Sequence, residues 1–574
     1  MNLERLAGLF RYWRLYLVNT AMVACVAVVA WKVGSLHIVE RDFLQNEGDA
    51  RTIRTEPIAA HRGIIMDRNG EPLAVSTPVS SIWVNPQVIL RQPDRIADLA
   101  AALSLSNEAL MESITLNEAR EFLYIKRRIP PAEAERILAM DIDGVYAQQE
   151  YQRYYPQGEV TAHLIGFNNV DDVGQEGLEL TYEQWLTGKP GRRQVMKDRR
   201  GRIIEELMVL ETAEPGKNLE LSIDFRIQNL AYKELKAEFI TRRAKSATVV
   251  VLDVDTGEVL AMASQPSYNP NNRANMKDFS VMRNRAITDI FEPGSTVKAF
   301  TVAAALETGK YTPETLVETR GWMMVDGKEI KDSANYGVLS VEKIITKSSN
   351  VGSTKLALDI GPEPIRDVME RVGLGEITGT AFPGERSGLL PSHRRWSRIE
   401  VATLSYGYGL SVSALQLARA YGVIASGGIK RPVSLLKLDS NQIATLAQER
   451  VLSEEISRQV AAMLRTVVDP KLGGTAVEAN VPFYSVAGKT GTARVVGEFG
   501  YEENVHNSLF VGMAPAGKPE IVVVIIINEP KGTEHYGGQV AAPVFSRIVS
   551  GAMRILNVPP DKLGDAVTPA NGNS

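Results

Sequence analysis

The sequence predicts an N-terminal membrane anchor, a mixed α+β domain, and a larger α/β sandwich in which helices flank an antiparallel sheet. Three observations support this prediction. An uncharged apolar run occupies residues 15–31, a glycine-punctuated stretch with mixed patterns follows, and strand-like apolar runs lie between helical patterns after residue 219. A chain of 574 residues also exceeds what one hydrophobic core usually organises.

Composition excludes several classes of function. The formal net charge of −4 gives no support for a nucleic-acid partner, and the small basic cluster at residues 192–202 is typical of a solvated loop. Cys25 is the single cysteine, so neither a disulfide framework nor a thiolate metal cage is possible. The six histidines form no H-E-x-x-H motif, and we expect no metal and no cofactor.

The apolar run predicts an uncleaved transmembrane helix. It is about seventeen residues long, which is the lower limit for a membrane span. Arg11 and Arg14 precede the run, so residues 1–14 are expected in the cytoplasm and the body on the other side of the inner membrane. A cleaved signal peptide is disfavoured because residues 30–32 are a poor cleavage site. A lipoprotein site at Cys25 would require the run to stop there, and a buried core helix would not need the basic lead-in.

Residues 45–215 predict an α+β domain without an evident catalytic set. Residues 61–70 read as a strand that ends in an Asn-Gly turn, with residues 73–76 as the returning strand. Helical spacing of apolar residues is present in 131–140 and 177–186. A structural or docking role is the default interpretation.

Residues 219–558 predict the sandwich domain, which begins after a break at 214–216. Asp224 is placed to cap a helix, and an Asp-Thr-Gly turn joins two apolar runs into a hairpin. The polar tail, residues 559–574, is predicted to be disordered. The predicted elements are a strand at 219–223, a helix at 224–239, a hairpin of 247–254 with 259–263, a buried strand at 521–527 and a helix at 543–556.

Ser295 and Lys298 are the first candidate catalytic pair. An apolar helix is predicted over residues 297–306. Ser295 lies at its start, in the first helical turn, and Lys298, three positions on, lies on the same face. Free N–H groups at a helix start can stabilise an oxyanion, and a desolvated lysine can act as a base for the serine. The same S-x-x-K spacing occurs at 340–343 and 434–437, so the spacing alone is weak; the preceding Glu-Pro-Gly at 292–294 distinguishes Ser295.

Ser348 and Asn350 form a candidate S-x-N motif about fifty residues later. Ser348 could relay a proton to a leaving amine, and Asn350 could hold a substrate amide and steady the lysine. Similar spacings at 267–269 and 333–335 compete with this assignment. We favour Ser348 and Asn350 because an apolar helical stretch follows them directly.

Residues 487–494 predict a substrate-binding edge strand. Lys489 supplies positive charge, Thr490 and Thr492 supply hydroxyls, and Gly491 lets a ligand backbone lie close. Such a strand can bind a terminal carboxylate and pair with an extended substrate, and the N–H of Thr492 is the expected second oxyanion donor beside that of Ser295. A P-loop is excluded because Phe483 stands where that motif requires glycine.

The three motifs, in this order, resemble those of class B penicillin-binding proteins, which are peptidoglycan D,D-transpeptidases. The resemblance extends over nearly the whole chain and is closest to the cell-division branch of that family. Ala299 departs from the proline that many relatives carry. The matching segments are 62–63, 67–70 and 174–179 for the non-catalytic pedestal, and 291–298, 406–411 and 489–492 for the transpeptidase domain.

The resemblance implies the chemistry and the setting. Ser295 would attack the penultimate D-alanine carbonyl of a stem peptide, release D-alanine and pass the acyl group to an amine on a neighbouring stem. β-Lactams would acylate the same serine. The expected partners are a membrane glycosyltransferase of the FtsW type and other division proteins, with the catalytic domain in the periplasm. The alternatives are an elongation-specific transpeptidase, a β-lactamase or carboxypeptidase, and a β-lactam-binding sensor or scaffold without turnover.

Overall fold

The computed structural model describes residues 12–43, 52–198, 203–273, 277–497 and 500–562. The predicted disordered tail lies outside the described residues from position 563 onward. The chain separates into two compact units. The N-terminal unit comprises Met1–His61, Pro78–Tyr151 and Gly188–Pro215, and the main unit comprises Arg62–Thr77, Gln152–Thr187 and Gly216–Ser574.

The helices and strands are numbered here in chain order. The helices are α1 Trp13–Gly34, α2 Pro86–Ile89, α3 Pro93–Leu103, α4 Asn107–Leu116, α5 Pro131–Leu138, α6 Ala162–Ile165, α7 Gly177–Thr181, α8 Glu183–Leu186, α9 Phe225–Thr241, α10 Arg285–Thr288, α11 Lys298–Glu307, α12 Val341–Lys347, α13 Asn350–Ile360, α14 Pro362–Arg371, α15 Arg398–Ser405, α16 Ala414–Ala425, α17 Ser440–Ala444, α18 Glu454–Thr466, α19 Gly537–Val540 and α20 Ala542–Ile555.

The strands are β1 Ile53–Ile58, β2 Ile65–Met66, β3 Pro72–Val84, β4 Leu123–Ile129, β5 Val145–Tyr154, β6 Gly191–Lys197, β7 Ile203–Glu211, β8 Leu219–Glu220, β9 Ser246–Asp253, β10 Val259–Gln265, β11 Leu316–Glu318, β12 Trp322–Val325, β13 Lys328–Lys331, β14 Val338–Ser340, β15 Ile429–Lys430, β16 Glu449–Arg450, β17 Ala487–Gly497, β18 Gly500–Ala514 and β19 Ile521–Asn528.

The predicted anchor forms a single continuous helix. α1 runs on into a short π-helical segment, Ser35–Val39, and together they span 27 residues without a buried side chain; an 18-residue window within them has a mean hydropathy of 1.9. Within the described residues, this is the one helix long and apolar enough to cross a membrane. Length and composition therefore agree with the predicted span, since about twenty apolar residues match the hydrocarbon thickness.

The N-terminal unit combines two small layers. β1, β6 and β7 form an antiparallel sheet with β6 in the centre. A separate core gathers Ile82 and Val84 of β3 with apolar side chains of α3, α4 and α5, among them Leu99, Ile114 and Ile137. The helix predicted over 131–140 is present as α5 and begins at Pro131, as expected for proline in a first turn.

The first part of the main unit contains the predicted hairpin and two departures from the predictions. β2 pairs antiparallel with β3 across a turn in which Gly70 has a φ of 87°. The helix predicted over 177–186 is broken at Tyr182 into α7 and α8. The strand predicted over 219–223 ends at Glu220, because Asp224 already begins the next helix as its N-cap.

A five-stranded antiparallel sheet with the order β10-β9-β19-β18-β17 organises the main unit. Leu252 and Val522 are paired neighbours, and Gly422 of α16 lies against Leu252. Gly512 is on the opposite face, where it meets Phe545 of α20. The two sheet faces are thus covered by different helices, which confirms the predicted α/β sandwich, its hairpin and its buried strand.

The edge of this sheet positions the predicted binding strand. β17 pairs only with β18 in the described sheet, and Lys489 is the register partner of Val511. Val511 continues through Val524 to Val250, which lies on the same face as Leu252 because side chains alternate along a strand. The register therefore directs Lys489 toward the face that α16 covers.

Candidate active site

Ser295 lies in a 3₁₀ turn, Gly294–Val297, that leads directly into α11. The prediction that Ser295 lies in the first turn of the α-helix is therefore wrong, because Ser295 lies in the 3₁₀ turn directly before that helix. The Lys298 N–H bonds to the Ser295 carbonyl three residues back, which makes the turn 3₁₀ rather than α. Ser295 is partly exposed, and its hydroxyl has no hydrogen-bond partner within the described part of the chain.

Neighbouring elements hold this turn rigidly. The Gly294 N–H donates to the Gly407 carbonyl at 3.1 Å, and the Tyr421 hydroxyl of α16 donates to the Thr296 carbonyl at 2.7 Å. Gly407 has a φ of 91°, and a Cβ there would lie 2.1 Å from the Gly294 oxygen. Only glycine fits, which gives a physical reason for the glycine in the 406–411 segment.

Lys298 extends from α11 into a fully buried position between the motifs. Its Nζ donates to the Ser348 carbonyl at 2.6 Å and to Asn350 Oδ1 at 2.7 Å, and it lies 3.3 Å from Ser348 Oγ. The second sequence motif therefore meets the first through the lysine amine. Ser333 of the competing 333–335 spacing instead contacts the Tyr336 hydroxyl.

Lys489 brings the third motif to the same hydroxyl. Its Nζ lies 2.9 Å from Ser348 Oγ, and the side chain is also fully buried. Burial lowers the pKa of Lys489 from its ordinary 10.5 to about 7. Burial first, and then the positive charge of Lys489, lower the pKa of Lys298 well below its ordinary value. The site can thus hold a neutral amine next to a serine.

A two-residue joint between α12 and α13, Ser348–Ser349, presents Ser348. Ser348 ends α12 with a φ of 57°, in the left-handed region, and Ser349 caps α13 by accepting the Gly352 N–H at 2.8 Å. A non-glycine residue in this conformation is strained, and such strain is common at functional sites. The other two S-x-x-K serines have structural roles: Ser340 caps α12, and Ser434 donates to the Leu436 carbonyl.

The rest of the K-T-G strand borders the nucleophile turn. A Cβ added to Gly491 would lie 3.0 Å from the Pro293 oxygen, so the strand and the turn are in close contact. The Thr490 hydroxyl lies 3.2 Å from that of Thr475, and the Thr492 hydroxyl accepts the Gly537 N–H at 3.1 Å. The two threonine side chains are therefore already engaged within the protein.

Sequence reasoning did not single out Asp332, which follows β13. Its carboxylate accepts hydrogen bonds from Ser349 Oγ and the Asn350 N–H, each at 2.6 Å, and from the Val351 N–H at 3.0 Å. A single aspartate in a loop carries no periodic signal. Only the folded chain shows that it lies at the N-terminus of α13.

Glu292 precedes the Ser295 turn in sequence and anchors an aromatic cluster beside it. Its Oε1 accepts the Gly409 N–H at 2.8 Å and the Tyr501 hydroxyl at 3.0 Å, and burial raises the pKa of the carboxyl. The Tyr408 and Tyr501 rings meet edge to face with centroids 5.5 Å apart.

Among the described residues, no group of three His, Cys, Asp or Glu side chains could hold a metal ion.

Two protein-family models match the chain. Residues 247–550 match the penicillin-binding protein transpeptidase domain, and residues 57–221 match the penicillin-binding protein dimerisation domain. The first match alone covers more than half of the chain.

Similar proteins extend this relationship over nearly the full length. The chain is 44% identical to peptidoglycan D,D-transpeptidase FtsI of Escherichia coli K12, covering 96% of this chain and 94% of the relative. It is 43% identical to the probable peptidoglycan D,D-transpeptidase PbpC of Pseudomonas aeruginosa, covering 97% of each.

Solved structures give the same result. The transpeptidase domain of Burkholderia pseudomallei penicillin-binding protein 3 matches with 44% identity and a TM-score of 0.54, covering 59% of this chain and 97% of that structure. Penicillin-binding protein 3 of Mycobacterium tuberculosis, complexed with aztreonam, matches with 28% identity and a TM-score of 0.67, covering 88% and 98%. The chain therefore belongs to the class B penicillin-binding proteins, with a transpeptidase domain preceded by a dimerisation domain.

Proposed function

We propose that the chain is a serine-type peptidoglycan D,D-transpeptidase that crosslinks stem peptides during septal wall synthesis. One observation carries the proposal: two buried lysine amines, from α11 and from the edge strand β17, meet at the Ser348 hydroxyl. The turn that holds Ser295 immediately precedes α11. Relatives named D,D-transpeptidase support the same activity.

The acylation half-reaction follows from this arrangement. Ser295 Oγ attacks the penultimate D-alanine carbonyl, and neutral Lys298 takes the hydroxyl proton. The N–H groups of Ser295 and Thr492 hold the oxyanion of the tetrahedral intermediate. When the C–N bond breaks, the amine of the leaving D-alanine receives a proton through Ser348, which contacts both lysines.

The second half-reaction transfers the acyl group. An amine on a neighbouring stem attacks the Ser295 ester and gives up a proton as the new amide forms, and Ser295 Oγ is reprotonated. Lys489 in its charged form binds the donor carboxylate, while Thr490, Gly491 and Thr492 provide the strand on which the donor lies extended. Because both threonine hydroxyls already have partners, this binding relies on the strand's backbone as well as on side chains.

The anchor and the N-terminal unit set the cellular context of this proposal. α1 with its π-helical extension anchors the chain in the inner membrane; residues 1–14 are in the cytoplasm and residues 219–558 form a periplasmic catalytic domain. Residues 45–215 form the pedestal, which together with the anchor reaches a glycosyltransferase of the FtsW type. A fluorescent fusion at midcell supports the septal role, whereas one along the side wall supports the elongation alternative.

Labelling with a fluorescent penicillin tests the nucleophile. Ser295→Ala should abolish covalent labelling while the unfolding temperature stays close to that of the wild type, because the side chain is partly exposed and makes no hydrogen bond to any residue that the structure describes. Ser434→Ala is the matched control, since its serine also begins an S-x-x-K and should leave labelling intact. An adduct on any residue other than Ser295, found by mass spectrometry of the labelled peptide, contradicts the assignment.

A turnover assay separates the transpeptidase from its alternatives. A donor stem peptide incubated with an acceptor amine should yield the ligated peptide and free D-alanine in equal amounts. Hydrolysis of the stem peptide without ligation would identify a carboxypeptidase, and hydrolysis of penicillin would identify a β-lactamase. Penicillin labelling without either product would identify a sensor or scaffold.

A further inference from the structure

Asp332 holds the start of the helix that carries Asn350. Its two carboxylate oxygens accept three hydrogen bonds, from Ser349 Oγ and from the N–H groups of Asn350 and Val351. α13 is eleven residues long, and its first N–H groups have no partners within the helix. A charged carboxylate at this end both satisfies those groups and complements the helix dipole.

The same short stretch of chain also fixes the side chain of Asn350. Asn350 Nδ2 donates to the Lys331 carbonyl at 3.0 Å, so the amide oxygen faces Lys298 Nζ at 2.7 Å. The reverse orientation would turn the Asn350 amide oxygen toward the Lys331 carbonyl oxygen, and two acceptors would then oppose each other. Lys331 and Asp332 thus determine both where Asn350 begins its helix and which amide atom it presents.

Two charged groups act on Lys298 from the elements packed around it. Lys489 of the edge strand lowers the pKa of Lys298, and Asp332, which follows β13, raises it. Burial is the largest cause and also lowers that pKa. Asp332 therefore partly offsets the two effects that remove the proton from Lys298.

We infer that Asp332 is a positioning residue of this site, which orients Asn350 toward Lys298 and balances the charge of Lys489. The inference rests on the proposed function, because it assigns Lys298 the role of base toward Ser295. Asp332 contacts neither lysine in a hydrogen bond; it acts through Ser349 and Asn350.

Acylation rates measured across a range of pH test this role. In the full-length protein, Asp332→Asn keeps the size of the side chain and removes its charge. Without that charge the pKa of Lys298 falls, so Lys298 is neutral at lower pH and the acid limb of the acylation profile should move down by about one pH unit. The plateau rate should also fall by about tenfold or more, because Asn350 is held less firmly.

Asp326→Asn is the matched control. Asp326 lies in the turn between β12 and β13, has a φ of 48°, and its carboxylate accepts the Ile399 N–H at 3.0 Å near the start of α15. Asparagine tolerates that conformation, and the substitution also removes one carboxylate from a helix start in the same hairpin. The control should therefore lose some stability but keep the acid limb and the plateau of the wild type.

Each outcome decides one question. An unshifted acid limb in Asp332→Asn, with or without a lower plateau, overturns the inference and leaves Asp332 a structural cap. If Asp332→Asn does not fold, Asp332→Glu retains the charge and should keep the wild-type acid limb with a lower plateau; a shifted limb there also overturns it. A wild-type protein that no penicillin acylates would instead refute the proposed function.

Discussion

At the scale of single residues, Lys298 and Lys489 are both fully buried, although each carries a positive charge in water. Their hydrogen bonds to Ser348 and Asn350 satisfy the amines without supplying a carboxylate partner. An arrangement of this kind is costly for stability and useful for chemistry, because it keeps an amine ready to accept a proton.

The first prediction concerns the stability that Lys489 costs. Its pKa is about 7 in the folded chain and 10.5 in the unfolded chain, so between these pH values the unfolded chain binds the extra proton and stability rises with pH. Lys489→Met removes this effect. The variant should be more stable than the wild type at pH 7, by on the order of 2 kcal/mol, and should lose penicillin acylation.

Denaturant unfolding at neutral and at alkaline pH checks this prediction. The stability difference between Lys489→Met and the wild type should shrink as the pH rises from 7 past 10.5, because above that value the lysine is mostly neutral in the unfolded chain as well. A difference that grows with rising pH would show that Lys489 is not destabilised by burial.

At the scale of elements, α16 supports the nucleophile turn from the sheet side. Its N-terminus has a complete capping box between Ser413 and Gln416, and its Tyr421 reaches the Thr296 carbonyl. Phe300 of α11 meets the Tyr421 ring edge to face at 5.5 Å. α16 therefore connects the packing of the core to the position of Ser295.

The second prediction tests that connection. Tyr421→Phe removes the hydroxyl and leaves the buried Thr296 carbonyl without this donor, which should cost about 1–3 kcal/mol of stability. It should also slow acylation, because the turn that carries Ser295 is less firmly held. Tyr484→Phe is the control: this buried hydroxyl donates to the Val558 carbonyl at 2.8 Å, outside the site. Equal acylation rates in the two variants would refute the connection.

How well each site residue can be predicted depends on how local its sequence pattern is. Ser295 and Lys298 are three residues apart on one helical path, and the apolar runs around them predict the helix from the sequence. The strand that carries Lys489 is equally local. Asp332 is different, because its partners lie seventeen to nineteen residues away, beyond β14 and α12, and no local pattern connects them.

Some predicted elements were wrong for similar reasons. The 3₁₀ turn that contains Ser295 is also held by a hydrogen bond from the Gly294 N–H to the Gly407 carbonyl, which is distant in sequence and which no local pattern encodes. The break at Tyr182 and the short strand at Leu219–Glu220 reflect local competition between elements that propensity alone does not resolve.

At the scale of the whole molecule, the chain has two compact units of different construction, and the N-terminal unit includes the apolar helix α1. The large antiparallel sheet is covered on both faces and carries the site at its edge strand. The N-terminal unit has its own core of aliphatic side chains, with no candidate catalytic residue of the three motifs in it. The residues of the three motifs and the apolar helix α1 thus lie in different stretches of the chain.

The third prediction tests the anchor. Val26→Arg places a charge near the middle of the apolar helix, which should cost about 3 kcal/mol of membrane insertion. Leu116→Arg is the control, because that apolar side chain is also well exposed but lies outside the anchor. Alkaline extraction of membranes should release the first variant and retain the second; full retention of both would argue against a spanning helix.

The two-residue joint Ser348–Ser349 has a consequence for how the gene can vary. The Ser348 carbonyl and hydroxyl both bind Lys298, the hydroxyl also binds Lys489, and α12 and α13 lie directly before and after the joint. An inserted residue at this joint would displace the Ser348 contacts with Lys298 and Lys489, and a deleted residue would shift α12 and α13 relative to each other. Heritable change at the joint is therefore confined to exchanges of one side chain for another, and length polymorphism must fall elsewhere.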